Sequence, residues 1–209
     1  MFGGSFNPIH FGHLLVADEV CETLRLDRLL LVPAAQPPHK PLTELAPTAD
    51  RYRMTALAVR EHPRFEVSDI EVARSGPSYT VDTLTALQDR GRLHLIIGSE
   101  TFLDLLNWRE PRRVAALARL VVIPRNGTGF DPETPAALKV MRELGLPCFV
   151  PAGVGRSDDL APILLHAASL PISGSDLRRR AREGQSLAFR MPEAVVSYIR
   201  DQQLYRPEA

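Results

Sequence analysis

The sequence predicts a doubly wound α/β fold, a mostly parallel sheet with helices on both faces, and three observations predict it. Short apolar runs rich in Leu, Val and Ile recur at residues 29–32, 93–97, 120–123 and 149–150. They lack the polar alternation of a half-exposed strand, as strands buried on both faces do. Stretches of helical period separate these runs. Finally, 209 residues with 44% hydrophobic content supply one core, which excludes wholesale disorder. A single domain over 1–209 is expected, with a C-terminal helical part from about residue 173 to 209. Crossovers in such a fold are right-handed, and ligands meet the carboxyl ends of the strands.

Taken in order, the chain opens on a turn-like pair, Gly3-Gly4, with only Met1 and Phe2 before it. The first strand is therefore expected to be truncated, or the true start to lie upstream. Leu14, Ala17, Val20, Cys21 and Leu24 then mark one stripe of an amphipathic helix. Residues 36–49, with Pro37, Pro38, Pro41 and Pro47, read as a long functional surface loop. Val81, Leu84 and Leu87 place a second helix over 80–90. Irregular segments are expected at 126–135 and 151–162. Pro192 before Glu193 opens a closing helix over 193–204.

Charge and cysteine content narrow the function classes. Twenty-five basic residues balance 25 acidic ones. Zero net charge argues against a long-range electrostatic footprint for nucleic acid or an acidic membrane, though not against a local basic pocket. Only Lys40 and Lys139 are lysines, so 23 of the 25 cations are arginines. Cys21 and Cys148 stand apart with no CxxC pair, which fits a reducing cytosol. No apolar run reaches the roughly 18 residues of a membrane span, and no secretory signal opens the chain. A soluble, cytoplasmic protein is expected.

The stretch Gly3-Gly4-Ser5-Phe6-Asn7-Pro8-Ile9-His10-Phe11-Gly12-His13 carries the most chemistry. Adjacent glycines turn the backbone tightly and present N–H groups to a ligand. A helix start at about Leu14 faces the same space, and its unpaired N–H groups and dipole suit a phosphate. His10 and His13 sit at that junction as N–H donors. A plain turn with two ordinary histidines, or an HxxH metal pair, reads the same residues differently, although no carboxylate or Cys cluster completes a metal shell. Neither GxGxxG nor a P-loop occurs. Near the other end, Ile172-Ser173-Gly174-Ser175-Asp176-Leu177-Arg178 reads as a capped helix start, with Arg178 placed to reach a phosphate there. Arg179, Arg180 and Arg182 are assigned to solvent or ion pairs.

The first motif resembles the GG-[ST]-F-[DN]-P-x-H-x-GH signature of the nucleotidyltransferases that carry HxGH, and the second resembles their ISxTxIR signature. Between them lie Pro37-Pro38-His39-Lys40, Arg51-Tyr52-Arg53-Met54, Ser78-Tyr79-Thr80-Val81-Asp82-Thr83-Leu84, Ile96-Ile97-Gly98-Ser99-Glu100 and Leu106-Asn107-Trp108. In this order they resemble the bacterial nicotinate mononucleotide adenylyltransferases over essentially the whole chain, least so across 126–170. The resemblance implies a Rossmann-like fold and the reaction of ATP with nicotinate mononucleotide, with Mg²⁺ held mainly by substrate phosphates. It implies that His10, His13, Lys40 and Arg178 are catalytic. ATP would be bound by Gly4, Ser5, Phe6, Gly98, Glu100, Ser173, Ser175 and Arg178. The mononucleotide would be bound by His39, Lys40, Arg51, Thr80, Trp108 and Arg109, with the nicotinate carboxylate received by the Thr80 hydroxyl and a backbone N–H near Trp108 and Arg109. Glu100 departs from the usual Asp by one methylene. A nicotinamide or pantetheine-phosphate acceptor, or a non-catalytic nucleotide sensor, would share the ATP motifs. Oligomeric state is not legible in these residues.

Overall fold

A computed structural model of the chain describes residues 1–39, 41–124, 129–153 and 160–206. Seven strands form one sheet among the described residues: β1 (Phe2–Gly4), β2 (Leu29–Pro33), β3 (Phe65–Val67), β4 (His94–Gly98), β5 (Arg119–Ile123), β6 (Val150–Pro151) and β7 (Ile163–Leu164). Their order is β3-β2-β1-β4-β5-β7-β6, and every pairing is parallel. This is the doubly wound parallel sheet that the apolar runs predict, and it agrees with the Rossmann-like fold that the resemblance implies. Register sets Gly4 beside Pro33 and Phe2 beside Ile96, so β1, β2 and β4 end near one edge. The Met1 amine continues the ladder, donating to the His94 carbonyl at 2.6 Å.

Alternate side chains of the central strands feed two cores, which is why those strands read as continuous apolar runs. Leu29, Leu31, Ile96, Val121 and Ile123 face one core; Val32, Leu95, Ile97, Leu120 and Val122 face the other. The first core is covered by α1 (Phe11–Thr23), α2 (Thr48–Val59), α7 (Gly174–Arg182) and α8 (Glu193–Asp201). The second is covered by α3 (Thr80–Leu87), α4 (Ser99–Leu103), α5 (Pro111–Leu117) and α6 (Pro135–Leu144). In α1 the expected stripe is the buried one, with Ala17, Val20 and Cys21 fully enclosed. Leu177 pins α7 to the sheet at 1% exposure, a burial worth roughly 1.5–3 kcal/mol for a leucine.

Several elements differ from the sequence reading for physical reasons. The 36–49 loop gives way to α2 at Thr48, because Pro47 serves as the residue before the helix. The buried face of α2 carries Arg51 and Thr55 beside Met54 and Val59, so it shows no clean apolar period. The helix at 80–90 narrows to a 3₁₀ turn after Leu87. The expected irregular stretch to 135 ends in α6, which Thr134 caps by accepting the Ala137 N–H and Gly145 stops at φ 67°. Parts of the two expected irregular segments, 126–128 and 154–159, lie outside the described residues. Strands β3, β6 and β7 have three, two and two residues, too few to display a period. No helix among the described residues is long and apolar enough to cross a membrane. Cys21 is buried, Cys148 exposed, and both are free thiols.

Candidate functional site

The sheet order reverses between β1 and β4, and both strands end in glycine, Gly4 and Gly98. Neighbouring strands there send their chains to opposite faces and leave a crevice between them. Two cavities open at this edge, of about 880 Å³ and about 340 Å³. They share Gly4, Ser5, His39, Gly98 and Thr101 as a common wall. Gly4 lets the loop close tightly here, since a Cβ on it would lie 3.2 Å from the ring of Phe6. Phe6 itself is 2% exposed and held at φ 42°, a left-handed backbone conformation costly for a non-glycine residue.

The larger cleft gathers the phosphate-binding candidates. His10, Gly12 and His13 come from the start of α1, and Ser173, Ser175 and Arg178 from the start of α7. The two imidazoles lie with centroids 3.8 Å apart at a 30° tilt, and the ring of Phe6 meets His13 edge-on at 5.2 Å. Gly12 permits this arrangement, since a Cβ there would sit 3.0 Å from His10 Nδ1. Burial pushes the His10 pKa down to about 4, so the ring is neutral at pH 7 and offers one N–H donor. Its Nδ1 is buried without a hydrogen-bond partner.

The same burial gives a stability prediction. An unfolded chain protonates His10 near its ordinary 6.5, whereas the folded chain resists until about 4. This contribution is therefore fully present above pH 6.5 and lost as pH falls toward 4, by roughly 3 kcal/mol at about 1.4 kcal/mol per unit. His94, lowered to about 4 by burial and nearby positive charge, acts in the same direction. Thermal melts across pH 7.5 to 4.5 should show Tm falling below pH 6.5; a level profile between pH 6.5 and 4.5 would contradict it.

Helix α7 docks directly on the glycine loop. Arg178 Nη1 donates to the Asn7 carbonyl at 2.9 Å, and Leu177 anchors the helix beneath. Gly174 is needed for the approach, because a Cβ there would lie 3.0 Å from the same carbonyl oxygen. Ser173 caps α7 by accepting the Asp176 N–H at 3.2 Å, and its hydroxyl lies 3.2 Å from that of Ser175. Asn7 is a site residue that the sequence reading passed over inside its own motif. Its Nδ2 donates to Glu44 O at 3.0 Å, and its Oδ1 accepts from Ala46 N at 3.0 Å and from the Tyr205 hydroxyl at 2.9 Å. It thereby ties the proline-rich loop and the C-terminal segment to the glycine turn. Exposed Glu100 lines this cleft from the first turn of α4, whose N-cap is Gly98.

The smaller cavity is lined by Pro37, Pro38 and His39 on one side and by Tyr79, Thr80, Trp108 and Arg109 on the other. Thr80 is the first residue of α3, so its hydroxyl stands at a helix N-terminus that favours an anion. The Ser78 N–H donates to Gln36 O at 2.9 Å while its hydroxyl accepts from Gln36 N at 3.1 Å, which fixes the two sides together. The Arg109 guanidinium lies 4.8 Å from the Tyr79 ring centroid. The amide of Trp108 is already engaged with Leu105 O at 3.1 Å, so the backbone donor expected near Trp108 and Arg109 is the Arg109 N–H. Glu71, 5% exposed, also lines this cavity and accepts the Thr83 hydroxyl at 2.6 Å, bracing α3. Its place in an irregular segment left no period to reveal it. If Trp108 is the stacking surface, Trp108→Ala should raise KM for a pyridine mononucleotide about tenfold, since ring stacking is worth roughly 1–3 kcal/mol. Initial-rate kinetics should show KM for ATP nearly unchanged.

One expected residue stands elsewhere. Arg51 does not line either cavity. It is 1% exposed, and its guanidinium donates to Ala46 O, Ser5 O, Ala34 O, Ala35 O and Thr48 Oγ1 at 2.5–3.0 Å. With those contacts its donors are engaged by the protein, so it holds the glycine loop, the end of β2 and the start of α2 rather than a substrate phosphate. Lys40 lies outside the described residues. His39 lines both cavities.

Comparison with known proteins follows the same lines. The family model described as cytidylyltransferase-like matches residues 1–180. A protein of Thermus thermophilus named "Probable nicotinate-nucleotide adenylyltransferase" is 43% identical over 209 residues, covering 99% of this chain and 98% of its own. One of the same name from Roseiflexus sp. (strain RS-1) is 42% identical over 208 residues, covering 99% and 96%. Among solved structures, Plasmodium falciparum nicotinic acid mononucleotide adenylyltransferase complexed with NaAD matches with a TM-score of 0.73. At 17% identity over 98% of this chain and 95% of that one, it speaks to the fold.

Proposed function

Because the chain belongs to the cytidylyltransferase-like family, and within it to the nicotinate-nucleotide adenylyltransferases, we propose that it transfers the adenylyl group of ATP to nicotinate mononucleotide. The products are deamido-NAD and pyrophosphate, a step of NAD biosynthesis, and the compartment is the cytoplasm. The observation that carries the reading is the pair of cavities meeting across Gly4 and Gly98. One is furnished with His, Ser and Arg donors at two helix starts, the other with an indole and a helix N-terminus. A polyphosphate donor and a pyridine acceptor placed in them meet at the shared wall.

In this mechanism an oxygen of the mononucleotide 5′-phosphate attacks the α-phosphorus of ATP, and the bond to the β-phosphate breaks. The attacking phosphate is already ionised near neutral pH, so no protein base or nucleophile is required. Catalysis is positioning and charge stabilisation. Neutral His10, together with His13, donates to phosphoryl oxygens at the α1 start, Arg178 neutralises charge beside Ser173 and Ser175, and Lys40 adds a second cation. Trp108 stacks on the pyridine ring, while Thr80 and the Arg109 N–H receive its carboxylate. An anion at the α3 start gains about 0.3–1 kcal/mol when exposed, a reason to prefer the acid over the amide.

Among the described residues no group of three or more His, Cys, Asp and Glu converges on one point. The larger cleft offers His, Ser and Arg donors to phosphate oxygens, and Mg²⁺ brought there by the ATP phosphates would offset charge on the departing pyrophosphate. The deciding experiment is pyrophosphate release from ATP with nicotinate mononucleotide and Mg²⁺, compared with the nicotinamide analogue. Release with the acid at a higher kcat/KM supports the reading. No release with any pyridine mononucleotide would overturn it in favour of a non-pyridine acceptor or a nucleotide sensor on this fold.

A further inference from the structure

The arginine run that closes the second motif divides by face. Arg179 is held by Asp176 and Glu183 along its own helix, and Arg180 donates to Ser186 O at 2.9 Å. Arg178 and Arg182, four residues apart, instead share one face of α7 and line a third cavity of about 550 Å³. Arg206 from the C-terminal segment lines it as well, opposite the 43–47 stretch of the proline-rich loop. Neither Arg182 nor Arg206 has an ion-pair partner among the described residues. Much of the backbone that walls the cavity is already satisfied: Glu44 O and Ala46 N bond Asn7, and Ala46 O bonds Arg51. The Tyr205 hydroxyl is directed at Asn7 too. What remains for a ligand is the guanidinium groups of Arg182 and Arg206 and the part of Arg178 not bonded to Asn7 O, against the single carboxylate of Glu44.

This cavity adjoins the donor cleft. Glu44, Leu45 and Arg178 line both, so Arg178 stands as the partition between them. We propose that the cavity behind α7 is a polyphosphate-anion subsite that takes inorganic pyrophosphate as it leaves the donor cleft past Arg178. The proposal rests on the adenylyltransferase reading for the identity of its ligand. Pyrophosphate released at Arg178 would be passed to Arg182 and Arg206, whose planar forks match phosphoryl oxygens in pairs.

The test measures binding directly, which requires no turnover. Inorganic pyrophosphate and orthophosphate are titrated into the full chain at fixed ionic strength, in wild type, Arg182→Ala, Arg206→Ala and the double variant. The exposed Arg142→Ala on α6 serves as a charge-matched control. We expect pyrophosphate affinity to fall on the order of tenfold for each single substitution and further in the double, with Arg142→Ala unchanged and orthophosphate bound weakly throughout. Product inhibition by pyrophosphate should weaken in parallel while KM for the mononucleotide holds. Equal pyrophosphate affinity in wild type and in a folded double variant overturns the subsite, as does an equal loss in Arg142→Ala. Absence of adenylyl transfer in the wild type would strike the functional reading alone, because the binding titration stands without it.

Discussion

His13→Ala should lower kcat by roughly 10²–10³-fold while leaving the fold intact. A single donor aimed at charge developing in the transition state is typically worth about 2.7–4 kcal/mol. His13 lies in the first turn of α1, its ring packed between His10 and Phe6. Its backbone N–H donates to His10 O, and alanine keeps that bond and favours a helix. The loss should therefore appear in kcat with little change in KM for either substrate, and in no change of the circular dichroism spectrum. A folded variant turning over at near wild-type kcat would remove His13 from the machinery.

Arg51→Met should be the most destabilising single substitution in the loop framework. It deletes every hydrogen bond from a guanidinium that links four carbonyls and a hydroxyl, and each buried acceptor left unpaired costs about 1–3 kcal/mol. A net loss of about 3–5 kcal/mol is expected, lowering Tm by roughly 10 °C or more for a chain of this size. Arg51→Lys should fall between, since one ammonium cannot span the same five acceptors. Chemical denaturation measures the loss directly. If Arg51→Lys instead keeps full stability and weakens only substrate binding, the guanidinium serves a substrate phosphate after all.

How much of this was legible from the chain follows from where each signal is stored. Strands β2, β4 and β5 announce themselves because both of their faces are buried, so a run of Leu, Val and Ile suffices. Helix α2 does not, because Arg51 and Thr55 occupy its inner face. Thr80 and Trp108, 28 residues apart in sequence, do reach the same cavity, as do His13 and Ser173 from opposite ends of the chain. The misplaced role of Arg51 has a plain cause. Composition tells that a cation is present, but only tertiary contacts tell whether its donors are already engaged. Asn7, Glu71 and Tyr205 escaped for the same reason, since their partners lie 12 to 198 residues away.

The glycine wall between the two cavities has an evolutionary corollary. The larger cleft takes its His, Ser and Arg side chains from α1 and α7, which pack on one face of the sheet, and Glu100 from α4 on the other. The smaller cavity takes Thr80 from α3 and Trp108 from the turn after α4, on that second face. Ser173 and Ser175 line the larger cavity and not the smaller, and Thr80, Trp108 and Arg109 the smaller and not the larger, so a substitution among them leaves the other lining unchanged. Such a scaffold can exchange its acceptor by redrawing one flank while the nucleotide-handling flank is inherited unaltered.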